Sequence, residues 1–220
     1  NPAGMATTGI TRSVSAYTNM SGAAYYSDDQ NVKNIIRWNP LCYINIWLVN
    51  DIPGSVAAYA YLPTAHGAAV DGIIVETSYF GAGNADDVVI THEMGHYLGL
   101  YHTFEQGCNN NDCTTDGDKV CDTPPDNSTS YTSCGVSVNS CSTDALSGFA
   151  KDMDDLAADY MDYGNWDCMS VFTQGQADRM NWFIQNVRSS LLNCNSCQPP
   201  CPAPVQANFT SSATAGAPGT

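Results

Sequence analysis

Positive charge is scarce in this sequence. Seven Lys and Arg stand against 22 Asp and Glu, a net charge of -15. Such a chain repels polyanions, which excludes nucleic acid and anionic membrane surfaces as expected partners. No run reaches the roughly 18 apolar residues that a membrane-spanning helix needs. There is no initiator Met and no basic-then-apolar leader at Asn1. The expectation is a processed or trimmed mature end, with any signal or pro-segment missing. Histidine is rare as well, with four in 220 residues.

Cysteine breaks the pattern. There are ten, at positions 42, 108, 113, 121, 134, 141, 168, 194, 197 and 201. An even count in sequence rich in Gly, Asn, Asp and Ser favours disulfides, an oxidising compartment and hence secretion. A structural zinc cluster at Cys194-x-x-Cys197-x3-Cys201 is the rival reading. The acid is mostly Asp in loops. Solubility explains most of it, and calcium ligation by hard loop oxygens is the functional alternative.

The length supports one domain or two closely joined lobes. Residues 43–49 and 71–77 read as strands, the first with Ile44, Ile46 and Leu48 on one face. A helix is expected over 86–98, with Asp86 and Asp87 at its positive end and Gly99 stopping it. Residues 103–170 read as loops holding six cysteines. Thr173-x-x-Gln176 has the capping-box pattern and opens a helix expected over 174–192, with Ala177, Met180, Ile184, Val187 and Leu191 at helical spacing. Beyond Cys201 the composition is that of a linker. No internal repeat is present. Asn19, Asn127 and Asn208 open short glycosylation sequons.

Three of the four histidines fall in one window, His92-Glu93-Met94-Gly95-His96-Tyr97-Leu98-Gly99-Leu100-Tyr101-His102. Helix residues four apart share a face, so His92 and His96 can address one ion. The chain must then turn back for His102, which gives Gly99 its purpose. Three protein ligands leave a fourth position for water, the mark of a catalytic rather than structural zinc. Glu93 sits beside that position as general base and acid, and peptide-bond hydrolysis is the natural reaction. His66, in loop-like sequence, reads as a surface residue rather than a ligand.

This window resembles the metzincin metallopeptidases. His92–Phe104, Gly117–Pro124, Tyr160-Met161-Asp162-Tyr163 with Cys168, and Phe172–Gln176 resemble the pappalysin branch and its ulilysin-like members. The resemblance implies an α+β, zincin-like architecture. An upper lobe, about 1–102, carries a twisted mixed sheet and the zinc helix. A lower, irregular, disulfide-rich lobe, about 103–200, carries the Met-turn and a C-terminal helix. Residues 201–220 are then a linker or the start of a C-terminal PKD-like module, seeded by Pro204–Thr210.

The resemblance further implies His92, His96 and His102 as zinc ligands, Glu93 as general base, Met161 beneath the ligands and Tyr163 stabilising the tetrahedral intermediate. It implies disulfides Cys113–Cys141 and Cys134–Cys168, leaving Cys108 to Cys121, and calcium held by Asp118, the Cys121 carbonyl and Thr123. Asp116 and Asp122 lie nearby. It implies an extended protein or peptide substrate paired with an edge strand, for which 71–77 is the candidate. The pocket position after the cut bond carries Trp166 in place of the branch's aspartate, so preference for Arg is not carried over. The expected protein is a monomeric, secreted zinc endopeptidase with accessory C-terminal domains. A non-catalytic zinc-bearing binding module and a small-molecule zinc amidohydrolase are the alternatives.

Overall fold

The computed structural model describes residues 7–20, 25–81, 87–127 and 132–194. The chain forms two compact units. The first comprises residues up to Leu98 together with the segment from Trp182, and the second is Gly99–Asn181. The return of the C-terminal segment to the first unit differs from the sequence boundary at about 102. Its causes are covalent and polar: Cys194 is bonded to Cys42, and Arg188 pairs with Asp71.

In the first unit, α1 (Tyr25–Ile35) precedes β1 (Ile46–Val49), β2 (Ala58–Ala60), β3 (Ile73–Glu76) and α2 (Val88–Tyr97). The three strands form a mixed sheet in the order β1-β3-β2. β1 runs parallel to β3, and β2 antiparallel. Ile73, Ile74 and Val75 of β3 are fully buried, as a central strand covered on both faces requires. One face packs Ile74, Trp47 and Val49 against Met20, Val32 and Ile52. α2 packs on β2 and β3.

One strand expectation is corrected here. Residues 71–77 do not form an edge strand, because β3 is flanked on both sides; among the described residues the edges are β1 and β2. Ile44, Ile46 and Leu48 are exposed together, in line with their expected common face, while Trp47 and Val49 face the core. Residues 43–45 fall outside the strand because Asn45 folds back on Trp38. Its side chain accepts from the Trp38 amide at 2.8 Å and donates to the Trp38 carbonyl at 2.9 Å.

His66 is also corrected. It is not a surface residue: its side chain is 12% exposed and lies 3.4 Å from Asp71. Nε2 contacts Ser190 at 2.8 Å. The helix expected over 174–192 breaks in two, α3 (Gln174–Asn186) and α4 (Ser189–Leu192). The break falls at Val187–Arg188, where the Arg188 side chain turns into the interior. Its Nε donates to the Tyr97 carbonyl at 2.8 Å, and Nη1 reaches both Asp71 oxygens at 2.9 and 2.8 Å.

The second unit has little regular structure and is held by staples. Cys108 bonds Cys141, Cys113 bonds Cys121, and Cys134 bonds Cys168. The first two replace the expected Cys113–Cys141 and Cys108–Cys121. The reason is local. Asp112 caps a tight turn by accepting from the Thr114 amide at 3.0 Å, and Gly117 and Lys119 take positive φ. The chain doubles back, so Cys113 meets Cys121 only 4.9 Å away between Cα atoms. Cys194 is engaged with Cys42, which removes it from the alternative zinc cluster. Cys197, Cys201, the tail strand at 204–210, Asp86 and most of the expected 81–84 loop lie outside the described residues.

The capping box at α3 is reciprocal: the Thr173 amide donates to Gln176 Oε1 at 2.8 Å, and the Gln176 amide to Thr173 Oγ1 at 3.1 Å. Asp122 adds to it, accepting from Thr173 Oγ1 and from the Gly175 amide. A carboxylate at a helix N-terminus is favoured by the dipole. Among the described residues, no helix is long and apolar enough to cross a membrane.

Candidate metal centre

α2 is short, and its N-terminal acid is otherwise engaged: Asp87 Oδ1 accepts from the Gly81 amide at 2.9 Å. Its C-terminus is sharp. The Leu98 amide bonds back to the Met94 and Gly95 carbonyls, and Gly99 then adopts φ of 99°, where a side chain would be strained. That turn sends the chain back on itself. As a result, one ring nitrogen each from His92, His96 and His102 lies within 4.8 Å of the others. The His92 and His96 rings meet edge to face, 4.7 Å between centroids. Among the described residues this is the one such convergence of His, Cys, Asp or Glu.

Glu93 lies on the same helix and is buried. Burial pushes its carboxyl up to about 8, opposed by a hydrogen bond from the Ala60 amide of β2. Oε2 is buried with no hydrogen-bond partner. A buried, unsatisfied carboxylate oxygen is expensive in a folded protein. Beside three converging imidazoles, it fits a site built to receive a divalent cation and a polar ligand. The donor set, three neutral nitrogens, suits zinc.

His102 is held within its own unit. The next residue, Thr103, donates its amide to the Met161 carbonyl at 3.2 Å. Met161 is fully buried in a turn organised by Asp159, whose Oδ1 accepts from the Met161 amide at 2.7 Å and from Gln176 Nε2 at 3.0 Å. Burial raises Asp159 to about 7. Asp159 is a residue that sequence reasoning missed; an Asp two residues before a tight turn is the signal that could have found it. Tyr163 is 44% exposed. Its ring stands 4.8 Å from His102 and 4.9 Å from Phe104. Phe104 stacks on His102. On the far side of the turn, Arg179 Nε donates to the Gly99 carbonyl at 2.8 Å.

Asp118 and Thr123 are brought together: Thr123 Oγ1 lies 2.8 Å from Asp118 Oδ2. Asp118 is buried, which raises its carboxyl to about 8. Asp122 is drawn away to the start of α3. Trp166 is half-buried just after the Met161 turn, and Asp167 beside it is exposed.

The family model described as pregnancy-associated plasma protein-A matches residues 25–185. The chain belongs to that peptidase family, the pappalysins. Extracellular metalloprotease 1 of Coccidioides posadasii is 34% identical over 167 residues, 72% of this chain and 55% of that protein. An extracellular metalloprotease of Arthroderma otae is 29% identical over 182 residues, 74% of this chain and 64% of that one. This pappalysin chain thus spans between about half and two thirds of the fungal relatives' length. Mature mirolysin of Tannerella forsythia, in complex with a cleaved peptide, matches with a TM-score of 0.66 at 26% identity, covering 86% of this chain and 71% of that one. The likeness places the α+β fold among the metzincins.

Proposed function

We propose that this chain is the catalytic part of a secreted zinc endopeptidase. The observation that carries the reading is the meeting of His92, His96 and His102 beside the unpartnered Glu93 Oε2. His92, His96 and His102 would hold the metal. Zinc, when bound, supplies a Lewis acid that polarises a peptide carbonyl and acidifies water. Glu93 takes the proton of the attacking water at Oε2 and delivers it to the leaving amine. Tyr163, half-exposed with its ring beside His102, would donate a hydrogen bond from its hydroxyl to the developing oxyanion. Met161 supports the segment that carries His102.

The substrate lies extended along the open edge of β2. That strand packs against the helix that carries Glu93, so a peptide paired there brings its backbone toward the carboxylate. Trp166 favours an apolar or mixed residue after the cut bond over Arg. A large ring offers no charge to neutralise a guanidinium. Calcium bound at Asp118, Thr123 and the Cys121 carbonyl would relieve the buried Asp118 carboxylate. Secretion follows from the disulfides and from the extracellular naming of the fungal relatives. The chain acts as a monomer.

The test is hydrolysis of a casein-type substrate, with and without a zinc chelator, repeated on Glu93→Gln. Removing a positioned general base should lower the rate by about 10²–10⁴-fold while zinc content is retained. An intact protein that holds zinc and cleaves nothing would overturn the reading and favour a binding module.

A further inference from the structure

Two of the three converging imidazoles need no help beyond their helix. His92 and His96 both lie on α2, whose backbone fixes their spacing. His102 has no such support. Five residues separate it from His96, and of these only Tyr97 is helical. Its place therefore depends on the backbone of residues 98–101, where Gly99 stands at a φ of 99°. A small rotation about one bond of that turn swings everything after it. A ligand carried on a turn is well placed only if the turn is held.

Arg179 holds it. Its Nε donates to the Gly99 carbonyl at 2.8 Å. Its guanidinium carbon lies 5.4 Å from the centre of the Tyr101 ring, within the range of a cation–π contact. Lys119 Nζ stands 5.2 Å from the centre of the same ring. One side chain thus engages the residue just before His102 and the residue at the bend of the turn. Leu100, between them, is fully buried, so three consecutive residues are pinned. Arg179 also has a firm base. It sits on α3 beside the buried Met180 and two residues after the buried Ala177, and the capping box at Thr173 fixes the start of that helix. The residue after His102 is held separately. The Thr103 amide donates to the Met161 carbonyl at 3.2 Å, and Thr103 Oγ1 to Asp126 Oδ2 at 3.3 Å. Slack in His102 would then enter from the side that Arg179 holds.

We propose that Arg179 is a positioning residue for the third metal ligand. By holding the Gly99 carbonyl and the Tyr101 ring it sets the turn that delivers His102. This inference rests on the reading of the three histidines as a zinc site, but not on the proteolytic reading of what that site does.

The experiment uses the whole chain, with zinc as the probe. Arg179→Met keeps most of the side-chain length and removes the donor and the charge. Its zinc affinity, measured against a competing chelator, should fall about tenfold, the lower end for a group that supports a ligand without touching the metal. Arg179→Lys should recover part of the loss, since an ammonium can serve one of the two contacts but lacks the planar fork. NMR gives a second readout. The four arginines yield four Nε–H signals in nitrogen-labelled protein, and the one missing from Arg179→Met is that of Arg179. Zinc should slow the exchange of this proton with solvent, because a bond that favours zinc is by linkage favoured by zinc. Should Arg179→Met fail to fold, Tyr101→Leu takes its place: it removes one of the two contacts and should weaken zinc binding about threefold. Wild-type zinc affinity in folded Arg179→Met, whatever its melting temperature, would overturn the proposal, and so would an Nε–H exchange rate indifferent to zinc. A wild type that binds zinc but cleaves no peptide defeats the endopeptidase reading alone, and the affinities still decide the role of Arg179. A wild type that takes up no zinc defeats both.

Discussion

Replacing Arg188 with methionine removes the most heavily engaged side chain of the first unit. Arg188 is fully buried. Its guanidinium reaches Asp71 through Nη1 at 2.9 and 2.8 Å, the Tyr97 carbonyl at 2.8 Å and the Tyr61 carbonyl at 3.3 Å. It lies 3.5 Å over the Tyr97 ring. Methionine fills much of the volume but returns none of the donors. Asp71, 1% exposed, is left as a buried carboxylate with the Gly67 amide at 3.2 Å and His66 at 3.4 Å as its remaining neighbours. Breaking a buried pair from one side costs about 3–5 kcal/mol, because the stranded charge loses its partner without regaining water. For a domain of this size each kcal/mol is about 2–4 °C of melting temperature, so the expected loss is roughly 6–20 °C. Thermal unfolding followed by circular dichroism, at saturating zinc and fixed pH, measures it. Arg188→Lys should recover only part, since an ammonium cannot reproduce the planar fork that serves Asp71 and two carbonyls. A loss below about 1 kcal/mol for Arg188→Met would refute the argument and mean that His66 alone satisfies Asp71.

Two further outcomes follow from the disulfides of both units and from the second unit's buried acid. Removing Cys42–Cys194, whose partners are 152 residues apart, should cost about 5 kcal/mol by chain entropy, against about 2.5 kcal/mol for Cys113–Cys121 at a separation of 8. Denaturant unfolding of the paired Cys→Ala variants gives the ranking, and the reverse order would show that native-state effects dominate. Asp118 has a folded carboxyl near 8 against an ordinary value of 3.8. The folded state therefore holds the proton more tightly. Its stabilisation is fully present below the unfolded value and is lost as pH rises toward 8. Calcium-free protein should accordingly be more stable at pH 5 than at pH 8, Asp118→Asn should flatten that slope, and added calcium should restore stability at pH 8. If calcium shifts the melting temperature of wild type and Asp118→Asn alike, the ion binds elsewhere.

The zinc window was legible because its chemistry is local. His92 and His96 need only a helix, and Gly99 needs only a turn. The capping box at Thr173 was legible for the same reason. α1 was not, because its inward face carries Asp29 and Lys33 where apolar periodicity would have announced it. β2 was not, because Ala58–Ala60 is short and two of its residues are alanine. In β1 the alternation was legible, but which side is buried was not. Ile46 and Leu48 are as apolar as Trp47 and Val49, and only the packing of Met20, Val32 and Ile52 on one face decides which side is buried.

The sequence by itself determined the family and singled out His92, His96, His102 and Glu93 as the candidate metal ligands and general base, since each is written in residues a few positions apart. Only the tertiary structure decided the disulfide pairing in the loops, the central place of β3, the burial of His66 and the network around Arg188. These depend on which distant segments meet in space. Spacing along a chain carries little information about such meetings where turns such as the one after Asp112, and not regular elements, set the path.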